Sequence, residues 1–177
     1  MTSNQSIDKN SIPHWYVGYT RTNQERKAAE KLASMGIESF IPVRREKRKW
    51  SDRIKVVDVL LIPGRIFVRC NETQRLDVLR GVAQIFAFMN DKGPFKPVIV
   101  PDRQLSDFKA IVESYDTSLE LVSAAVGDRV RITGGHLAGL EGLLVRKGNL
   151  NTFAIEIESI GYATVNVSID DVEKILE

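Results

Sequence analysis

The stretch VGDRVRITGGHLAGLEGLLVRK, residues 126–147, decides the fold. Apolar and polar side chains alternate along it. Glycines at 127, 134, 135, 139 and 142 interrupt it, and Gly148 follows just beyond. Alternation with period two is the mark of a strand with one buried face. Val130 and Ile132 alternate with Arg129 and Arg131. Further on, Phe153, Ile155 and Ile157 alternate with Ala154, Glu156 and Glu158, and Val165, Val167 and Ile169 with Asn166 and Ser168. Several short strands packed into roughly 50 residues bury too little as a flat sheet, whereas a small closed barrel leaves less edge exposed. The glycines then supply positive φ in tight turns and room at corners.

Upstream the periodicity differs. HWYVGY (14–19) is β-prone. Thr22 with Glu25 three residues later reads as a capping box, after which Ala28, Leu32 and Met35 recur at helical spacing up to Gly36. IESFIPV is a short strand ended by Pro42. Pro63-Gly64 punctuates VVDVLLIPGRIFVRC, and IFVRC resumes as a strand. Asn71 with Gln74 opens a second helix, with Leu76 and Leu79 predicted inward and Gly81 at its end. IFAFM (85–89) is strand-like, DKGPFKP a loop, and VIV strand-like again. Asp102 caps a third helix with Leu105, Phe108 and Val112 on its apolar face. The order β-α-β-β-α-β-α predicts an α+β domain over 13–112, with helices packed on a mainly antiparallel sheet. Residues 1–12 read as a disordered tail and 113–125 as a linker, leaving 126–177 for the barrel.

Composition narrows the function classes. The 177 residues are 43% hydrophobic and 27% charged, as in ordinary globular proteins. No apolar run reaches the ~18 residues of a membrane span, and the polar N-terminus lacks a signal core, so a cytoplasmic protein without membrane contact is expected. A single cysteine, Cys70, leaves no internal disulfide and no multi-cysteine zinc site. His14 and His136 fall in different predicted domains without metal-ligand spacing. There is no G-x-S-x-G elbow, P-loop or dinucleotide fingerprint. An enzyme is not expected, nor a metal or cofactor.

Charge is uneven. Residues 44–55, RREKRKWSDRIK, hold seven basic residues against Glu46 and Asp52, a local +5 in a chain whose net charge is +2. Two readings stand: a solvated hairpin, or a contact with a polyanion in which Trp50 stacks on a base or sugar.

GDRVRITGGHLAGLEGLL resembles the KOW motif, at Gly127, Asp128, Val130, Ile132, Gly135, Leu137 and Gly142. Residues 14–112 resemble the NGN domain that precedes KOW in the NusG family of transcription elongation factors. The matching pieces are WYVGY, the helix after it, LIPGRIFV and LRGVAQIFAFMNDKGPFKPVIVPD. Two motifs depart from the family pattern: Ile62-Pro63-Gly64-Arg65 stands where F-P-G-Y is common, and Gly135-His136-Leu137 where G-P-F is common. With the long basic segment, these make the chain more similar to specialised paralogues, the UpxY-type antiterminators of polysaccharide loci.

The resemblance implies an NGN domain followed by an SH3-like KOW barrel. It implies a monomeric regulator that binds RNA polymerase and promotes processive elongation and antitermination at particular operons. It places Tyr19, Ile62, Pro63, Phe67, Ile85 and Phe88 on an open apolar sheet face that grips the clamp helices of the β′ subunit, although each could equally be core. It also points across the cleft to the β subunit, through Glu72, Thr73 and Gln74, where the usual His-Thr-Thr type run is absent. Arg21, Gln24 and Lys27, together with Arg44, Arg45, Lys47, Arg48, Lys49, Trp50 and Arg53, would face upstream or non-template DNA. Gly127, Asp128, Gly135, Leu137 and Gly142 would form the KOW turn and its surface for a small-subunit ribosomal protein or termination factor. The alternative is a ribosomal-type KOW module that binds RNA without polymerase, in which WYV and PG-x-x-FV would have no role.

Overall fold

The structure, a computed structural model, describes residues 11–91, 93–114, 118–122, 125–147 and 149–175. Most of the expected tail, parts of the expected linker and Gly148 lie outside the described residues. In chain order the elements are β1 (His14–Thr20), α1 (Glu25–Ser34), β2 (Glu38–Phe40), β3 (Val43–Lys49), β4 (Ile54–Leu60), β5 (Arg65–Cys70), α2 (Glu72–Gly81), β6 (Ile85–Phe88), β7 (Ile99–Val100) and α3 (Asp102–Glu113). There follow β8 (Glu120–Val122), β9 (Asp128–Ile132), β10 (Glu141–Lys147), β11 (Leu150–Ile157), β12 (Gly161–Asn166) and β13 (Val172–Lys174). They form two compact units. One joins the chain up to Ile41 with Ile62–Val100, and the other joins Pro42–Leu61 with the chain from Pro101 on.

The first unit is built on an antiparallel sheet in the order β2-β5-β1-β6, with β7 also paired to β1. On one face Tyr16, Ile66, Val68 and Cys70 meet Ala28 and Leu32 of α1 and Val78 of α2. α1 buries Ala28 and Leu32 as its spacing predicts, whereas Met35 is its half-buried C-cap, and its start differs from the expected capping box. Gln24 is the N-cap and makes no side-chain cap bond. Glu25 is buried instead, and its carboxylate accepts a hydrogen bond of 2.7 Å from the Gly64 amide. That bond ties the helix start to the Pro63-Gly64 turn, so the carboxylate is not free to cap.

α2 does begin with a capping box: the Asn71 side chain accepts from the Gln74 amide, and the Gln74 side chain accepts from the Asn71 amide. Its buried face, however, is shifted. Leu76 and Leu79 are exposed and Val78 is buried. The reason is Arg75, one turn before Val78. Its guanidinium lies over the rings of Tyr16 and Phe88, at 5.8 and 5.7 Å from their centroids, and bonds Glu72 at 2.9 and 2.5 Å. A charged residue with an aliphatic stem thus occupies the inner position that hydropathy alone assigns to leucine.

The other face of this sheet was expected to be open. Its centre is not: Trp15, Val17, Phe67 and Val100 are all buried. Cys70 is buried as well, and desolvation pushes its thiol from 9.0 up to about 12. The unfolded chain can therefore ionise this thiol above about pH 9 while the folded chain cannot, so its contribution to stability is lost as pH rises from 9.0 to about 12. At pH 9 iodoacetamide is expected to leave Cys70 unmodified in the native protein and to alkylate it within minutes in denaturant. Equal rates would show an accessible thiolate.

In the second unit six antiparallel strands follow the order β13-β9-β10-β11-β12-β8. Val130, Ile132, Phe153, Ile155, Ile157 and Val165 are buried at the alternating positions the sequence marks. The alternation stops one residue pair early. β12 ends at Asn166, and the chain turns through Ile169–Asp171 with Ile169 exposed. α3 buries Leu105, Phe108, Ile111 and Val112. Pro101 rather than Asp102 is its N-cap, without a side-chain cap bond. α3 packs on β11 and β12, where Ala154 and Thr164 are small enough to admit a helix. Arg103 reaches Glu141 at 3.1 Å, and the Glu158 amide donates to the Gln104 side chain at 2.9 Å. β3 and β4 make a two-stranded sheet of their own.

Candidate functional site

The open part of the first sheet is the end where β1, β5 and β6 meet. Antiparallel pairing sets Tyr19 opposite Arg65 on β5 and opposite Ala87 on β6. Between Tyr19 and Thr20 the β1–β6 register slips, leaving Phe86 as an extra residue. Such a bulge breaks the period-two rule and re-aims a side chain. Ile85 and Phe88, three residues apart, both enter the helix-facing core, and Phe86 is turned out to 61% exposure. Its ring stacks on Tyr19 with centroids 6.1 Å apart and an interplanar angle of 21°. Arg65 lies over the Tyr19 ring at 5.5 Å.

This revises the list of candidate apolar contacts. Tyr19 is half-buried and Pro63 exposed. Ile62, Phe67, Ile85 and Phe88 are core residues, because each points into packed protein rather than to solvent. Phe86 and Arg65 were missed. A strict strand alternation gives no sign of the bulge that turns Phe86 outward. Glu72 and Gln74 are engaged at the start of α2, with Arg75 and Asn71 respectively, which leaves Thr73 as the exposed member of that segment.

Among the basic candidates, Arg21 and Gln24 come together. They line a hollow of about 540 Å³ with Thr22, Ala83 and Gln84. Arg21 precedes α1 rather than belonging to it, so the expected helical face of Arg21, Gln24 and Lys27 does not form as such. The Arg21 amide donates to Gln84 O at 3.1 Å. Lys27 is exposed and outside the hollow's lining.

The basic segment is a hairpin, as its composition suggests, and its two faces differ. Arg44 donates to Leu119 O at 2.8 Å and pairs with Glu46 at 2.5 Å, and Arg48 shares the same carboxylate at 3.5 Å. Hydrogen bonding to Arg44 holds the Glu46 carboxyl below its ordinary range. The other face sets Arg45, Lys47 and Lys49 opposite Asp58, Val56 and Ile54, all exposed. Trp50, at the tip, is 54% exposed with the Lys55 ammonium 5.3 Å from its ring, and Arg53 lies near Asp52.

In the second unit Asp128 pairs with Lys174 at 3.2 Å. Gly135 has φ +72° and an open surrounding, whereas a β-carbon at Gly127 or Gly142 would collide with backbone carbonyls of neighbouring strands. Leu137 is buried in the turn Gly135–Leu137, so its side chain serves the core rather than a partner.

The first unit thus exposes Phe86 beside the half-buried Tyr19 and Arg65, and the hairpin carries a basic face. Among the described residues no three or more His, Cys, Asp or Glu side chains stand together as a metal would need. Among those residues, too, no helix is long and apolar enough to cross a membrane. A structure described as "Domain interaction in Thermotoga maritima NusG" is similar to this one with a TM-score of 0.51 and 22% identity, over 93% of this chain and 98% of that one. A structure of the MjSpt4:Spt5 complex aligns over 91% of this chain and 97% of its own at 11% identity, with a TM-score of 0.31. No curated protein matches. The fold is therefore NusG-like, a mixed architecture of antiparallel sheets with few helices. The family model "Transcription termination factor nusG" matches residues 13–109, more than half of the chain, and the chain belongs to the NusG family. Proteins of this family are transcription factors that bind RNA polymerase, and they are not enzymes.

Proposed function

We propose that this protein docks on RNA polymerase through the Tyr19–Phe86 end of its first sheet and promotes processive elongation and antitermination, in the manner of UpxY-type family members at polysaccharide operons. The observation that carries the reading is Phe86, solvent-exposed and stacked on the half-buried Tyr19, on a domain of a polymerase-binding family. Rigid aromatics on a sheet end suit the apolar side of a helix, and the β′ clamp helices are the proposed seat. Binding the closed clamp better than the open, paused form shifts the population toward elongation without any chemistry by the factor. The six-stranded sheet is read as an SH3-like KOW barrel that recruits a ribosomal protein or termination factor, and the site of action is cytoplasmic. The family match over the first domain counts against a ribosomal-type RNA module, which has no such domain. Single-round transcription through a terminator tests this. Read-through should rise with added protein and stay at the basal level with Phe86→Ala. No change with the parent protein would refute it.

The hairpin supports a second contact, with upstream or non-template DNA. Its outward face, Arg45, Lys47 and Lys49, carries cations beside the exposed indole of Trp50. Cations placed on phosphates release counterions, which gives salt-dependent binding with little sequence preference. Replacing all three with alanine is expected to lower affinity for DNA-containing elongation complexes and to make the plot of log affinity against log salt shallower by roughly 2. An unchanged slope would identify a merely solvated hairpin.

A further inference from the structure

Among the arginines of the first unit, Arg65 alone has a buried side-chain nitrogen without a hydrogen-bond acceptor among the described residues. It begins β5 directly after the Pro63-Gly64 turn, which the buried Glu25 carboxylate holds in place. Its Nε is buried and has no hydrogen-bond acceptor. Among the described residues its guanidinium makes no ion pair, and its contact is with the face of Tyr19. A guanidinium stays charged and carries five N–H donors. One of those donors, Nε, is shut off without an acceptor, which is unfavourable, and the rest of the half-buried guanidinium has no carboxylate to close it.

Arg75, in the same unit, shows what is lacking. It too lies over aromatic rings, those of Tyr16 and Phe88. There, however, the Glu72 carboxylate closes the fork, receiving Nε at 2.9 Å and Nη2 at 2.5 Å. Arg65 repeats the ring contact without the carboxylate.

We infer that Arg65 is the receptor for a carboxylate carried by the docking partner: the partner's segment presents an acidic side chain to Arg65 beside apolar residues that cover Tyr19 and Phe86. This rests on the reading of that sheet end as the polymerase interface, and it names the chemistry of the contact. A protein carboxylate fits better than a nucleic-acid phosphate. Arg65 is the only cation in the group Tyr19, Pro63, Arg65 and Phe86, whereas backbone binding to nucleic acid draws on several cations in series.

The test titrates nucleic-acid-free core RNA polymerase of the source organism with four proteins: the parent, Arg65→Met, Arg65→Lys and Phe86→Ala. Arg65→Met, which keeps the stem and removes the fork, is expected to bind at least tenfold more weakly. Arg65→Lys should recover only part of that loss, because an ammonium cannot engage a carboxylate through two parallel bonds. The melting temperature of Arg65→Met should equal or exceed the parent's, since a buried donor without an acceptor is gone. If Arg65→Met folds poorly, Arg65→Lys carries the comparison. Parent-like affinity of both variants overturns the inference, as does a fall in melting temperature that matches the loss of affinity. If the variants lose binding to a single-stranded oligonucleotide but not to polymerase, the anion is a phosphate and the inference is wrong. If the parent does not bind, or Phe86→Ala binds as the parent does, the docking reading itself fails.

Discussion

Phe67→Ala is expected to destabilise the protein by about 3–5 kcal/mol, the range for emptying a fully buried aromatic site. Phe67 sits opposite Val17 on β1 and Phe40 on β2 with none of its surface exposed, and its ring lies 5.9 Å from that of Phe40. Phe86→Ala, nineteen positions further on, should change stability by no more than about 1 kcal/mol, since it forfeits one stacked pair at the surface. Its loss should appear in polymerase affinity, by about 1–3 kcal/mol. Denaturant unfolding and equilibrium binding on both variants check the pair. The two phenylalanines look alike in composition and differ in this contrast. A Phe86→Ala protein as unstable as Phe67→Ala would show that the bulge residue is structural.

Gly142→Val is expected to cost about 3 kcal/mol or more, at the upper end of overpacking effects. A β-carbon at Gly142 would collide with the Ala154 carbonyl oxygen and come within 2.8 Å of the Phe153 ring. Neither neighbour can yield: Ala154 O belongs to the adjacent strand, and Phe153 is fully buried. Gly135→Val should cost less, about 1 kcal/mol, because the only obstacle there is the positive φ. Thermal melting of the full chain, followed by the strand signal of circular dichroism, distinguishes them. Equal melting of the two variants would contradict this assignment of the glycines.

Much of this was legible in the sequence because it depends on local signals. Asn71 and Gln74 announce the capping box of α2, and Val130, Ile132, Phe153 and Ile155 announce strands with one buried face. The site was less legible. Phe86 faces outward because of one slipped register between β1 and β6, and no property of IFAF fixes a register set by its neighbour strand. Leu76 and Leu79 read as inward because hydropathy does not foresee Arg75 filling the inner position on aromatic rings. The motif Ile62-Pro63-Gly64-Arg65 stands out as a departure, yet no local signal tells that the Arg65 Nε is buried without an acceptor among the described residues.

Docking through the bulged end of the first sheet is tested most directly by site-specific crosslinking. A photoreactive benzophenone side chain would replace Phe86 in one preparation and Leu76, an exposed residue of α2, in another. Each protein would be irradiated with core RNA polymerase. Position 86 is expected to crosslink to the β′ subunit in high yield and position 76 weakly or not at all. Crosslinks from position 76 with none from position 86 would contradict the assignment of this surface.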